Sequence, residues 1–327
     1  MSFFKKRVIP TFLLFSLVII NLSGCAVEVD PTFSNTEIKL SDSISNKSVS
    51  YTEDYISKDI AIVNSEDMTE DDSAFSADSC MLVNISKNEA VYAKDVHKRL
   101  YPASTTKVIT ALLALENCDP NETVTFSYAA THITEPGAMK CGFEEGDKIK
   151  LKNLLFCMML FSGNDAAQGV AEHVAGSVKN FSKMMNKKAA EIGASDSHFV
   201  NPHGLHSKRH YTTAYDLYLF FNQALKYKLF RKIINTPQYQ TDYKDKDGGD
   251  HHMICNTTNQ YIKGTTATPK GVKVIGGKTG TTSDAGACLI ICSKNTNTGE
   301  EFVSVVLKAF DHYQLYTQMT ALLEKIE

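Results

Sequence analysis

Tyr101-Pro102-Ala103-Ser104-Thr105-Thr106-Lys107 runs directly into Val108 to Glu116, an apolar stretch with helical character. If the helix begins near Ser104, the three-residue spacing sets Ser104 and Lys107 side by side on one face. That pairing has chemical meaning. A serine hydroxyl is a poor nucleophile until a base takes its proton. A lysine can be that base only where burial and neighbouring positive charge lower its pKa. The start of a helix adds free backbone N–H groups and the positive end of its dipole, where an oxyanion can form. The plainer reading is an N-capping serine followed by a surface lysine, and the pair alone leaves that reading open.

Two later stretches bear on the choice. Ser162-Gly163-Asn164 lies between two helical stretches, Leu151 to Phe161 and Asp165 to Val174, where a loop can present it to a cleft. Ser-x-Asn is weak by itself, since Ser86–Asn88 and Ser293–Asn295 repeat it in turn-rich segments. Lys278-Thr279-Gly280 occurs once and closes a strand that follows Gly276-Gly277; its plain reading is an ordinary strand end.

The remaining pattern predicts one sheet completed from both ends of the chain. Cys80 to Ile85 and Ala90 to Lys94 form a hairpin around Ser86-Lys87-Asn88-Glu89. A helical middle follows, with Ser182 to Ile192 and Tyr211 to Leu229 as further helices. Val272 to Gly277, Ala287 to Cys292 and Phe302 to Ala309 are strands with short, turn-rich connections, which makes them antiparallel. Tyr313 to Ile326 closes the chain as a helix.

Ser-x-x-Lys, Ser-x-Asn and Lys-Thr-Gly, in this order and context, are the set shared by β-lactamases and penicillin-binding proteins. Over residues 75–327 the chain resembles the serine D-Ala-D-Ala carboxypeptidases among the low-molecular-mass penicillin-binding proteins. Tyr101 to Lys107, Ser162-Gly-Asn-Asp-Ala-Ala167, Asn201-Pro-His-Gly-Leu205 and Gly277-Lys-Thr-Gly-Thr-Thr282 carry the likeness. The resemblance implies an α/β fold of the β-lactamase/transpeptidase type: a mostly antiparallel five-stranded sheet flanked by helices, plus a helical subdomain, with the cleft between them. It implies that Ser104 attacks the carbonyl between the two terminal D-alanines of a peptidoglycan stem peptide while Lys107 takes its proton. Ser162 would relay a proton toward the leaving amine, aided by Lys278, and Asn164 would orient Lys107 and the substrate. Lys278 and Thr279 would meet the terminal carboxylate, with Gly280, Thr281 and Thr282 along the substrate, and the N–H groups of Ser104 and Thr281 would hold the oxyanion. No cofactor or metal is implied.

One departure bears on inhibitors. Roughly 35 residues after Ser162, where class A β-lactamases carry a deacylating Glu-x-x-Asn, this chain has His198-Phe-Val-Asn-Pro-His-Gly-Leu205. β-Lactams are therefore expected as covalent inhibitors, not good substrates. A DD-endopeptidase or a β-lactamase of the same fold, or a non-catalytic lipoprotein sensing β-lactams or wall fragments, are the other readings.

Composition fits this picture. The 327 residues are 43% hydrophobic and 22% charged, enough for a large globular core. A net charge of −3 offers no basic footprint for nucleic acid. Lys5-Lys6-Arg7 followed by the apolar run Val8 to Ile20 reads as an export signal, too short for a comfortable span. Leu22-Ser23-Gly24-Cys25 resembles a bacterial lipobox. The expected organisation is a lipoprotein signal peptide over 1–24, an acidic flexible tether over 25–72 and a catalytic domain over 73–327, held outside the cytoplasm at the cell membrane through lipid on Cys25. Residues 26–78 hold 13 acids against 3 lysines, a net of −10, as a solvated tether would. Only 47 residues follow Gly280, too few for the β-rich domain and amphipathic C-terminal helix of many relatives, so the N-terminal lipid is expected to be the anchor. The other seven cysteines are scattered through apolar runs and read mostly as buried small hydrophobes. His203, His206 and His210, and Asp245, Asp247 and Asp250 ahead of His251-His252, suggest metal ligands only weakly; the aspartates lack a calcium loop's twelfth-position Glu, Asn256 standing there.

Overall fold

A computed structural model of the chain describes residues 60–63 and 73–326. The leader, Cys25 and most of the expected tether lie outside them. β1 (Ser79–Asn84) and β2 (Glu89–Lys94) make the expected hairpin. A 3-10 turn over Ala103–Thr106 leads into α1 (Lys107–Asn117). The middle of the chain runs through β3 (Thr123–Thr125), α2 (Tyr128–Thr131), β4 (Lys148–Lys150) and α3 (Leu151–Phe156), which continues as a π-helical turn over Cys157–Phe161. Then come α4 (Asn164–Ala175), α5 (Val178–Glu191), α6 (Ala214–Leu225) and α7 (Lys228–Ile234). The hairpin of β5 (Gln238–Lys244) and β6 (Asp250–Asn256) and a single turn, α8 (Gln260–Lys263), precede β7 (Val272–Thr282), β8 (Gly286–Asn295), β9 (Glu301–Ala309) and α9 (His312–Glu324).

The main sheet is antiparallel in the order β2-β1-β9-β8-β7, so the first and last strands among the described residues pair at its centre, Ser79 opposite Leu307. Helices cover both faces, and the strand sequences show why. In β1, Met81 and Val83 point into the larger core with α1 and α6, while Cys80 and Leu82 point into a second core capped by Leu315, Met319 and Leu322 of α9. Strands buried on both sides read as unbroken apolar runs instead of alternating ones. Side-chain caps fix the helix starts: Thr213 accepts from the Asp216 N–H at 3.0 Å and Asp311 from the Gln314 N–H at 2.8 Å.

Three expectations change. The helix predicted over 211–229 is two helices, broken at Lys226 and Tyr227. Arg231 pins the break: its Nε donates to the Leu225 carbonyl at 2.7 Å while its guanidinium grips Glu301 of β9 at 2.8 and 3.0 Å. Lys278-Thr279-Gly280 does not end its strand but lies inside β7, which continues to Thr282 at the sheet edge. Part of the expected tether is also docked on the domain. Ala61 and Val63 are buried, with the Ala61 N–H donating to Tyr218 Oη at 3.0 Å and Tyr215 Oη donating to the Ala61 carbonyl at 3.1 Å.

A second sheet, β3-β4-β5-β6, was not expected. Of the seven cysteines beyond Cys25, all free, Cys80, Cys157, Cys255, Cys288 and Cys292 are buried. Among the described residues no helix is long and apolar enough to cross a membrane.

Candidate active site

The 3-10 turn before α1 shapes the site. Ala103 holds a left-handed φ of 48°, and the Thr105 and Thr106 hydroxyls donate back to the carbonyls of Pro102 and Ala103 at 2.7 and 2.9 Å. Three residues per turn eclipse i and i+3. Ser104 and Lys107 therefore meet although the α-helix proper starts at Lys107. Behind the turn, His210 accepts the Val200 N–H at Nδ1, which leaves its Nε2–H for the Thr106 hydroxyl 2.9 Å away. Gly204 packs so tightly that a Cβ there would stand 1.8 Å from the Ala103 carbonyl oxygen. This is the role of the Asn201-Pro-His-Gly-Leu205 loop: it backs the turn that holds Ser104.

Lys107 is fully buried, and its Nζ lies 2.8 Å from Ser104 Oγ, 2.7 Å from Asn164 Oδ1 and 3.0 Å from the His203 carbonyl. Burial, reinforced by repulsion from Lys278, pushes its pKa well below the usual lysine value. A neutral amine has two N–H bonds and one lone pair. The two carbonyl-type oxygens can only accept, so they take the N–H bonds and the lone pair faces Ser104 Oγ.

Lys278, also buried, reaches Ser162 Oγ at 3.0 Å and the Thr279 carbonyl at 2.8 Å. Burial lowers its pKa to about 7. Ser162 ends the π-helical turn in a left-handed conformation, φ 68°, unusual for a residue with a side chain and typical of strained functional turns. Gly163 follows because a Cβ there would meet Cys141 Sγ at 2.3 Å. The next acid, Asp165, accepts the N–H groups of Cys141 and Gly142 at 2.9 and 2.8 Å, tying the loop that carries Pro136, Gly137 and Met139 to the start of α4.

β7 supplies the opposite wall. A Cβ at Gly280 would lie 2.8 Å from the Ser104 nitrogen and 2.9 Å from both the Pro102 oxygen and the Thr105 nitrogen, so only glycine lets the strand press on the turn. Thr279 Oγ1 is 2.6 Å from Thr258 Oγ1, and Thr281 Oγ1 is 3.4 Å from His312 Nε2. Between these walls is a cleft of about 440 Å³ lined by Ser104, Ser162, Asn164 and residues 279–282, with Lys107 and Lys278 beneath it.

All nine candidate residues from Ser104 to Thr282 thus converge; Cys25 lies outside the described residues. The sequence reading missed the His203 carbonyl, Asp165, Thr258 and His312, of which the first two lay in recognised stretches. His203, His206 and His210 do not form a ligand set: His203 Nδ1 accepts the Leu205 N–H at 3.2 Å, His210 holds Thr106, and His206 faces Asp284 at 3.5 Å. Asp245 instead closes its own hairpin, accepting the N–H groups of Asp247 and Gly249 at 2.9 and 2.8 Å.

Residues 66–311 match the family model described as D-alanyl-D-alanine carboxypeptidase. The chain is 32% identical over 253 residues to the Bacillus subtilis D-alanyl-D-alanine carboxypeptidase DacF, covering 77% of this chain and 62% of that one. To Escherichia coli DacD it is 30% identical, covering 65% and 54%. The chain therefore spans only about half to three-fifths of these two relatives' length. Among solved structures, the Streptomyces K15 DD-transpeptidase is similar with a TM-score of 0.70 and 27% identity, over 77% of this chain and 97% of that one.

Proposed function

Because the chain belongs to the D-alanyl-D-alanine carboxypeptidase family of peptidases, we propose that it is a serine DD-carboxypeptidase that removes the terminal D-alanine from peptidoglycan stem peptides outside the cytoplasm. The observation that carries this reading is the Lys107 amine, buried and 2.8 Å from Ser104 Oγ, with its two N–H bonds engaged elsewhere. Ser104 Oγ attacks the carbonyl of the penultimate D-alanine as its proton passes to Lys107 Nζ. The N–H groups of Ser104 and Thr281 hold the oxyanion, a contact whose loss typically costs about 10²–10³ in rate. Collapse of the tetrahedral adduct breaks the C–N bond. The leaving amine takes its proton from Ser162 Oγ, which Lys278 Nζ resupplies. Free D-alanine departs, leaving an acyl-enzyme. The proton that Lys107 took from Ser104 passes to Lys278 and restores its charge, so Lys107 is neutral again when water adds to the ester. Lys107 takes a proton from that water and returns it to Ser104 Oγ as the acyl–oxygen bond breaks.

Asn164 uses its Oδ1 to aim Lys107, leaving its NH₂ for the substrate amide. Lys278 and the Thr279 hydroxyl receive the terminal carboxylate, a charge-assisted contact that favours substrates with a free C-terminus. β-Lactams acylate Ser104 by the same attack and persist as adducts. Incubation with a D-Ala-D-Ala pentapeptide is expected to release one equivalent of D-alanine per peptide, faster than a cross-linked dimer is cut or a β-lactam is turned over. Faster cutting of the dimer would make the protein an endopeptidase, and acylation by a β-lactam without turnover of any peptide would make it a sensor.

The same reading includes an N-terminal lipid on Cys25 after removal of residues 1–24, with the acidic stretch up to about residue 59 as the tether. Acyl carbons contribute roughly 0.8 kcal/mol per buried CH₂. A Cys25→Ser protein expressed in a bacterial host should leave the membrane fraction for the medium. Retention of the variant at the membrane would count against lipid anchoring while leaving the peptidase reading untouched.

A further inference from the structure

The far ends of the two helices that carry Lys107 and Asn164 converge on a set of side chains the reaction does not use. Cys118 caps the C-terminus of α1, and His173 lies in the last turn of α4. Glu122 sits one tight turn beyond Cys118. Their ligand atoms, the Cys118 thiol, a Glu122 carboxylate oxygen and a His173 ring nitrogen, all lie within 4.8 Å of one another. His173 Nε2 is 2.8 Å from Glu122 Oε2, and the other Glu122 oxygen accepts the Asp119 N–H at 2.8 Å. The turn is itself fixed, with the Asn121 N–H donating to Asp119 Oδ1 at 2.8 Å and the Glu122 N–H to the Asp119 carbonyl at 2.9 Å.

We propose that Cys118, Glu122 and His173 form a zinc site that clamps the distal ends of α1 and α4. One thiolate, one imidazole and one carboxylate are the donor types zinc takes, and tetrahedral Zn²⁺ with bonds of about 2.0–2.3 Å sets its ligand atoms roughly 3.3–3.8 Å apart. His173 Nε2 and Glu122 Oε2 at 2.8 Å need only move slightly apart, and no pair of the three atoms is farther apart than 4.8 Å, so small side-chain adjustments suffice. The Asp119 N–H on the outer Glu122 oxygen is the kind of supporting contact that orients a metal ligand in advance. The His173 and Glu122 side chains are 19% and 45% exposed, which leaves solvent on one side to supply water as the fourth ligand. As the Zn–S bond forms, the Cys118 thiol gives its proton to solvent.

Position gives the site its purpose. The N-termini of α1 and α4 meet at the cleft, where Lys107 Nζ and Asn164 Oδ1 are 2.7 Å apart. A metal at the opposite ends restrains the sliding of one helix along the other and so holds that contact in register.

The full chain, stripped with a chelator, is to be titrated with Co²⁺ and then Zn²⁺. The expected result is one equivalent of Co²⁺ with a thiolate-to-cobalt charge-transfer band in the near ultraviolet, displaced by Zn²⁺, and a rise in Tm on adding Zn²⁺. Cys118→Ser should remove the band, and Cys118→Ser and His173→Ala should each lower affinity at least about 100-fold and cancel the rise in Tm, while both proteins remain folded without metal. A band that survives Cys118→Ser, or binding no tighter than millimolar in the parent protein, would overturn the proposal.

Discussion

Ser104→Ala is expected to lower D-alanine release by about 10⁶-fold, the scale on which removing a serine nucleophile acts in other serine hydrolases. The substitution removes one oxygen from a turn whose other bonds, through Thr105, Thr106 and His210, are untouched. Folding and reversible binding of a D-Ala-D-Ala peptide should therefore persist. Intact-mass analysis after β-lactam exposure checks the same residue from another side: the parent protein gains one adduct and the alanine variant none. A variant that still released D-alanine at a tenth of the parent rate would mean that another group attacks the amide, and the proposed chemistry would fail.

Lys107→Met should be the next most damaging change. Methionine nearly matches the buried volume but its thioether is only a weak acceptor and no base for the Ser104 proton, and general bases contribute about 10²–10⁴ in rate. Acylation should fall by that factor with substrate affinity little changed. The pH profile separates the two lysines. Lys107 works as the neutral amine, so kcat/KM rises with pH as this group loses its proton, a limb that burial and the Lys278 charge move well below the ordinary lysine range. Lys278 works as the cation facing a carboxylate, and its pKa is about 7, so in the free enzyme that charge is lost as pH climbs through 7. kcat/KM should accordingly bend downward above about pH 7. The bound carboxylate favours the charged form, so the same limb in kcat should move to higher pH. A kcat/KM that stays flat up to pH 9 would remove Lys278 from carboxylate recognition.

The legible parts of this molecule were those where local chemistry and global packing coincide. The strands around Cys80, Leu289 and Val305 are buried on both faces, so their apolar runs announced the main sheet. The Ser104–Lys107 spacing works in a 3-10 turn as well as in an α-helix, which made the pairing readable although the turn type was not. The second sheet left no such trace. β3 and β4 have three residues each with one buried, and β5 and β6 bury only Thr241 and Cys255 fully, their inner face otherwise being the half-buried Tyr239, Tyr243 and Met253, so hydrophobicity marks them weakly. The break after α6 carries no glycine or proline, because it is set by Arg231 reaching a strand 70 residues away. Ser162 could be named from its neighbours, but its left-handed backbone reflects the contacts of Gly163 and Asp165 with the Cys141 loop. Such contacts are invisible to a local reading.

The pairing of Ser79 with Leu307 means that the centre of the main sheet joins segments more than two hundred residues apart. Closing so long a loop carries an entropic cost that local helices cannot offset, and folds rich in such distant contacts assemble slowly. Until β9 arrives, β1 and β8 each lack a neighbour, and the strand that presses Gly280 against Ser104 belongs only to its hairpin with β8. A chain that lacks β9 therefore has the β1–β2 and β7–β8 hairpins, the two halves of this sheet, still unjoined.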